Sequence, residues 1–276
     1  MAGSSLVVGA GPMGEWLAAH LRKKGEKVSI YDRNLYRARK VAESLKCNYL
    51  ARLDGFNTAA SKAFIATGSE HAGPLIIRLS SILPSNSAII DISSVKTPVL
   101  HQIRGKIPAK MTVALAHPLF GPGAGKLSDK YVIFTPFRNT RREYGVVAHF
   151  FRPAHIITMS CREHDKLMAY CMSIPRLFTL SILRKWVALD AVSLTTSQKA
   201  LAMAASTMLI DNPKVFSEIV ALNPYTGSAL SDLVKEMLSL SKAGRRTIEK
   251  RVSESLKKIP GLNKYYNETY RFLENR

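Results

Sequence analysis

The sequence predicts an α/β fold: a mostly parallel, doubly wound sheet followed by an all-helical C-terminal domain. Three observations predict it. Up to about residue 160, short apolar runs alternate with helical stretches. Those runs are continuously apolar, as strands covered on both faces must be. Beyond residue 160 the strand signal fades and apolar residues recur at helical spacing. A chain of 276 residues, 46% of them hydrophobic, can bury two cores. The expected domains are residues 1–160 and 161–276.

Each element follows from its own pattern. The expected strands are "SLVVG" (5–9), "KVSIYD" (27–32), "KAFIAT" (62–67), "AIIDIS" (88–93), "TVALAH" (112–117), "YVIFTP" (131–136) and "HIITM" (155–159). The early ones are separated by helical stretches such as "PMGEWLAAHLRKKG" and "LYRARKVAESLK". In the second half, "REHDKLMAYCMSIPRLFTLSILRKWVALD", "TTSQKALAMAASTMLI", "PKVFSEIVAL" and "GSALSDLVKEMLSLSKAGRRTIEKRVSESL" have helical spacing, punctuated by Pro175, Pro213, Pro224 and Pro260.

The net charge is +20, from 40 Lys and Arg against 20 Asp and Glu. Such a surface could bind nucleic acid, steer a small anionic substrate, or only keep the protein soluble. The basic residues are spread along the chain, in stretches such as "KKGEK", "RNTRRE" and "KAGRRTIEKR" that read as solvated helix ends and faces. They do not alternate with aromatics, which argues against a nucleic-acid partner. No apolar run reaches the roughly 18 residues of a membrane span. The start, "MAGSSLVVGAGPMG", has no basic segment and no cleavage-type end, so no signal peptide is expected. Cys47, Cys161 and Cys171 are scattered, with neither a disulfide framework nor metal-ligand spacing. No metal is expected, and a reducing cytoplasm is the simplest compartment.

The first motif is "GAGPMG", residues 9–14, in which Gly9, Gly11 and Gly14 fit G-x-G-x-x-G. It follows an N-terminal strand and opens a helix, with Pro12 near the first turn. In a Rossmann-like domain one glycine makes the tight turn, a second lets the backbone approach a pyrophosphate, and the third lets helix pack on strand. The helix N-terminus offers N–H groups and partial positive charge to the phosphates. Gly9, Ala10, Gly11, Pro12, Met13 and Gly14 are therefore the candidate dinucleotide cradle. Asp32 ends the second strand, 18 residues after Gly14, where an acid takes the adenosine ribose hydroxyls. A carboxylate there favours NAD; the adjacent Arg33 could accommodate a 2′-phosphate and leaves NADP open.

Ligands of a doubly wound sheet bind beyond the carboxyl ends of the strands. Those ends carry Thr67, a candidate lining for the dinucleotide, then Ser93, Ser94 and Lys96, and then His117. Ser94 and His117 follow consecutive strands, so both could face one cleft. A histidine beside a nicotinamide can take a hydroxyl proton while hydride leaves the same carbon, and its ordinary pKa suits that task. The Pro/Gly loop after it, "PLFGPGAG", would hold the ring still. The alternative is that His117 only caps the loop by bonding a carbonyl.

"DISSVKTPVL" followed by "AHPLFGPGAG" resembles the prephenate dehydrogenase family, which includes arogenate dehydrogenases and serves tyrosine synthesis. "SCREHDKLMAYCMSIPRLF" and "MLIDNPKVFSEIVALNP" continue the likeness, in order, over nearly the whole chain. The resemblance implies a Rossmann-like domain plus a helical domain that binds substrate and forms a homodimer. It implies that NAD(P) takes hydride from the ring carbon bearing the hydroxyl, with loss of carbon dioxide, giving 4-hydroxyphenylpyruvate from prephenate or tyrosine from arogenate. It assigns His117 to polarise or deprotonate the hydroxyl and Ser94 to assist by a hydrogen bond. It also exposes two departures. The family's substrate arginine, six residues before a proline, is here Thr207, and its histidine after the proline of the first helical segment is Arg176. Arg176, with Lys199, is the candidate replacement cation. His164 and Asp165 match a family motif, yet helix capping explains them as well; like His71, His101, His149 and His155, His164 is read as structural or exposed. Two alternatives stand beside this reading: another two-domain hydroxyacid dehydrogenase, and a non-catalytic nucleotide- or nucleic-acid-binding protein.

Overall fold

A computed structural model describes residues 3–55, 61–190, 195–209, 213–259 and 261–274. Pro260 and residues 210–212, part of the "MLIDNPKVFSEIVALNP" signature, lie outside them. The chain divides into two compact units, Met1–Leu167 and Met168–Arg276.

The first unit is one eight-stranded sheet. Its strands are β1 (Ser4–Val8), β2 (Lys27–Tyr31), β3 (Asn48–Leu50), β4 (Lys62–Ile65), β5 (Ala88–Asp91), β6 (Thr112–Pro118), β7 (Tyr131–Thr135) and β8 (His155–Thr158), in the order β3-β2-β1-β4-β5-β6-β7-β8. All pairs are parallel except β6–β7. The seven expected strands are present. The eighth, β3, is three residues long at the sheet edge and was not expected, because "NYL" has neither the length nor the apolar run that marks a strand.

Period-2 alternation divides the strand residues between two faces. Val7, Ile30, Phe64, Ile90, Ala114, Ala116, Val132 and Phe134 share one core with α1 (Pro12–Lys23), α2 (Leu35–Leu45) and α5 (Thr140–Phe151). Leu6, Val8, Ala63, Ile65, Ile89, Val113 and Leu115 face the other, against α3 (Ser69–Ile82) and α4 (Thr97–Ile103). Fully burying one such side chain stabilises by about 1.5–3 kcal/mol, so these two layers are the main source of the unit's stability. Local chemistry sets the helix starts. Asn34 and Asn139 accept N–H bonds from Arg37 and Arg142 and open α2 and α5. Buried Glu143 accepts from the backbone of Phe137, Arg138 and Asn139. The boundary between the units falls at the last residue of α6 (Cys161–Met168), a helix opened by a reciprocal Ser160–Glu163 capping box.

The second unit is helical. After a π-helical turn (Ala169–Ser173) come α7 (Ile174–Ala188), α8 (Thr196–Leu209), α9 (Pro213–Leu222), α10 (Thr226–Ser241), α11 (Arg245–Lys258) and α12 (Leu262–Glu274). Among the described residues its buried cluster is small: Ala169, Ile174 and Ala229, with Tyr225 and Leu233 packed against it. Helix α11 buries no residue. Leu240, Ile248, Val252, Leu256, Ile259 and Leu262 line an apolar groove. Among the described residues, no helix is long and apolar enough to cross a membrane.

Candidate active site

The glycine turn has the geometry a dinucleotide needs. Gly9 sits at φ +108°, and a Cβ there would come 2.4 Å from the Ala66 carbonyl oxygen. A Cβ on Gly14 would overlap the Gly9 carbonyl oxygen, so that helix and strand meet only through hydrogen. A Cβ on Gly11, by contrast, would meet nothing within 4 Å. That open side lies at the start of α1, where Pro12 occupies the first turn and no side chain caps the helix. Close contacts at Gly9 and Gly14 with room at Gly11 are what an approaching pyrophosphate requires. Asp32, just past β2, accepts N–H bonds from Ala10 (2.8 Å) and Asn34 (2.8 Å). Its carboxylate is thereby tied to the glycine turn, while Arg33 is exposed and Arg37 stands 3.9 Å away. Thr67 follows β4, partly buried, before the Gly68 that opens α3. The residues present therefore fit a dinucleotide.

Two strands along, the segment after β5 is knit around a buried charge. Lys96 and Asp91 are both fully buried and form an ion pair of 2.5 Å. Ser93 donates its hydroxyl to the same carboxylate (2.9 Å), and Ser69 accepts the Val95 N–H. Lys96 is thus a structural cation that fixes the "SSVK" loop, and it leaves partly buried Ser94 at the carboxyl end of β5. The β5–β6 register, Asp91 opposite Leu115, puts His117 at the same end of the neighbouring strand. His117 is buried, 4% exposed.

The bond to its ring comes from His164, which the sequence leaves as structural or exposed. His117 Nδ1 lies 2.9 Å from His164 Nε2, and His164 Nδ1 lies 2.7 Å from Asp165 Oδ1. His164 and Asp165 are fully buried. His164 is therefore not exposed, and neither it nor Asp165 caps its own helix, since Ser160 and Glu163 do that. Asp165 instead accepts the N–H groups of Lys96 (2.9 Å) and Thr97 (2.6 Å), capping α4 across the fold. Burial pushes the His164 imidazole below its ordinary value, against the opposing pull of Asp165. Burial would raise the Asp165 carboxyl, but the bonds from His164, Thr97 and Lys96 outweigh it and hold the group below its usual range. The only available signal was the His164–Asp165 pair following a strand and opening a helix. The other four histidines named with it, His71, His101, His149 and His155, are exposed.

The loop after His117 is held separately. Trp16 on α1 donates its indole N–H to the Ala124 carbonyl (3.0 Å) and meets Phe120 edge-on at 5.0 Å. His20 stacks on Trp16 and bonds the Phe150 carbonyl oxygen (2.8 Å). The helix that begins at the glycine turn thus also fastens the "PLFGPGAG" loop. In the helical unit, Arg176 lies partly buried on α7 and donates to the Met172 carbonyl (3.1 Å). Lys199 is exposed on α8. Thr207, also exposed, bonds the Ala204 carbonyl of its own helix (2.8 Å).

Comparison with known proteins bears on the family and the fold. Residues 17–154, half of the 276-residue chain, match the family model described as prephenate dehydrogenase, nucleotide-binding domain. The match begins inside α1, so the glycine turn stands on its own geometry. A probable arogenate/prephenate dehydrogenase of Methanocaldococcus jannaschii is 22% identical over 80% of this chain and 49% of its own length. Arogenate dehydrogenase 1, chloroplastic, of Arabidopsis thaliana is 26% identical over 58% of this chain and 26% of its own. The chain thus spans half or less of these curated relatives. Among solved structures, prephenate dehydrogenase from A. aeolicus with hydroxyphenyl propionate and NAD+ superposes with a TM-score of 0.77 at 19% identity, covering 94% of this chain and 96% of that one. The likeness in fold extends through the helical unit, and the matched half holds His117 and Ser94: the chain belongs to the prephenate dehydrogenase family.

Proposed function

We propose that the protein is an NAD(P)-dependent dehydrogenase that oxidatively decarboxylates prephenate to 4-hydroxyphenylpyruvate, with arogenate as the alternative substrate. The observation that carries this reading is the buried His117, oriented by His164 at the carboxyl edge of the sheet that also bears the glycine turn. When bound, the nicotinamide supplies a hydride acceptor. His117 takes the proton of the ring hydroxyl as the C–H hydride leaves the same carbon. Breaking the bond to the ring carboxylate releases carbon dioxide, and its electron pair completes the aromatic ring. Ser94, at the adjacent strand end, hydrogen-bonds the hydroxyl and keeps it aimed at His117.

The Asp32 carboxylate favours NAD, since it repels a 2′-phosphate. Arg176, with Lys199, supplies the cation for the substrate carboxylates in place of the arginine that Thr207 replaces. The helical unit joins a second copy in a homodimer, which would cover apolar residues such as Val252 (51% exposed) and Leu256 (56% exposed). Three free thiols fit a reducing cytoplasm. Thr207 also favours a second reading, a dehydrogenase for a different hydroxyacid, because a threonine cannot make a bidentate bond to a carboxylate.

The test is the rise of reduced-nicotinamide absorbance with prephenate and with arogenate, using NAD and NADP. Turnover on one of them is expected, with a loss of about 10²–10⁴ in kcat for His117→Asn. A folded protein that binds NAD and turns over neither substrate would overturn the reading and favour the second.

A further inference from the structure

The geometry points to His164 as the positioning residue of the site: fixed by Asp165, it selects the tautomer of His117 so that Nδ1 carries the proton and Nε2 is left as the base. The inference goes beyond the dehydrogenase reading and, for its kinetic consequence only, rests on it.

Asp165 accepts hydrogen bonds from Lys96 N, Thr97 N and the His164 ring, among others. An ionised carboxylate can only accept, so the His164 nitrogen facing it, Nδ1, must carry a hydrogen. His164 is fully buried, and burial disfavours its charged form. In the neutral ring only one nitrogen is protonated, so Nε2 is an acceptor. The atom 2.9 Å from it is His117 Nδ1, which must then donate. A neutral His117 with hydrogen on Nδ1 carries no hydrogen on Nε2, which is then the basic nitrogen of the ring. When Nε2 takes a proton, the imidazolium still donates to His164, and the Asp165 charge behind that ring stabilises it. The charged groups around His164 are consistent with this order. Asp165 comes from its own helix, and Lys96 with Asp91 from the β5–α4 segment, where they pair with each other and largely cancel. Cys161, raised chiefly by burial, contributes no thiolate.

The direct test needs no substrate. In the full chain labelled with ¹⁵N-histidine, long-range ¹H–¹⁵N spectra at pH 7.5 read which ring nitrogen of His117 and His164 is protonated. Both should carry Nδ1–H. His164→Leu should return His117 to the Nε2–H form of a free imidazole, while His164→Gln, whose side-chain oxygen still accepts, should keep Nδ1–H. An Nε2–H His117 in the wild type, or an unchanged tautomer in His164→Leu, overturns the inference, and the wild-type spectrum decides even if the leucine variant fails to fold. The kinetic arm uses whichever substrate the wild type turns over. His164→Leu should lower kcat by about 10²–10⁴, the scale seen when a catalytic histidine is held in the wrong tautomer or lost, with KM nearly unchanged. The acid limb of its pH profile should move to lower pH, and His164→Gln should recover most of the activity. An active wild type whose kcat is untouched by His164→Leu also overturns it. Absence of wild-type turnover counts against the dehydrogenase reading alone, because the tautomer measurement stands without it.

Discussion

The sheet unit and the helical unit treat the same material differently. In the sheet unit, apolar side chains fill two layers to exclusion: Phe64, Phe134, Phe150 and Phe151 are all essentially fully buried. Even its charges are inside, as Lys96, Asp91, His164 and Asp165 show. In the helical unit the buried cluster is a few small residues around Ile174, while Val187, Leu238, Leu256, Tyr266 and Phe272 stand more than half exposed. A parallel sheet must have both faces covered before it is stable. A helix satisfies its backbone internally and can wait for a partner to cover its apolar stripe. The difference teaches where precision is possible: buried charges with their partners in place hold an imidazole in one orientation inside a closely packed layer.

The contrast can be broken at its hardest point. Lys96→Met leaves Asp91 charged and buried without its cation, so the sheet unit should lose about 3–5 kcal/mol, read as a fall in the urea midpoint. A loss near zero would mean that the pair is not shielded from water. Next in size, Gly14→Ala forces a methyl into the Gly9 carbonyl and should cost about 1–3 kcal/mol. It should also abolish NAD binding, measured by fluorescence titration. Retained binding would mean that helix α1 can retreat from β1 without disturbing the cradle.

A smaller, graded effect comes with pH. The His164 value is held down in the folded state, so above its ordinary value of about 6.5 its full contribution is present. As pH falls below that, the unfolded chain takes a proton that the folded chain refuses. Stability should then drop by at most about 1.4 kcal/mol per pH unit until the folded value is passed. The depressed Asp165 adds a second loss beginning below its ordinary value of about 3.9. Urea midpoints between pH 7.5 and 5 should slope accordingly in the wild type and flatten in His164→Gln. The smallest intrinsic effect belongs to the helical unit. Leu256→Ser should change the stability of the isolated chain by no more than about 0.5 kcal/mol. In sedimentation equilibrium, however, it should weaken the proposed dimer. A wild type that is monomeric at all concentrations would remove that assignment and leave the exposed stripe without a known cover.

Much of this was legible in the sequence. The alternation of apolar runs with helices, the glycine turn and the acid at the end of β2 are local patterns, each enforced by backbone sterics or by the chemistry of one turn. Ser94 and His117 could be brought to one sheet edge because consecutive strands of such a sheet end on the same side. β3 was not legible, because three residues paired to β2 are too few to carry a periodicity. Nor was the role of His164. Its neighbours in sequence offered an ordinary helix start, and Ser160 and Glu163 do cap it. Its partner, His117, is 47 residues away.

By itself, then, the sequence determined the elements, their order and the chemistry available at the strand ends, since these follow from periodicity, turn residues and the identity of the side chains. Only the tertiary structure decided which side chain orients which. Packing α6 beside the β5–α4 segment and β6 excludes water from Asp165, His164 and His117. Once desolvated, polar groups must satisfy one another, and that requirement fixes the direction of every hydrogen bond in the chain leading to His117.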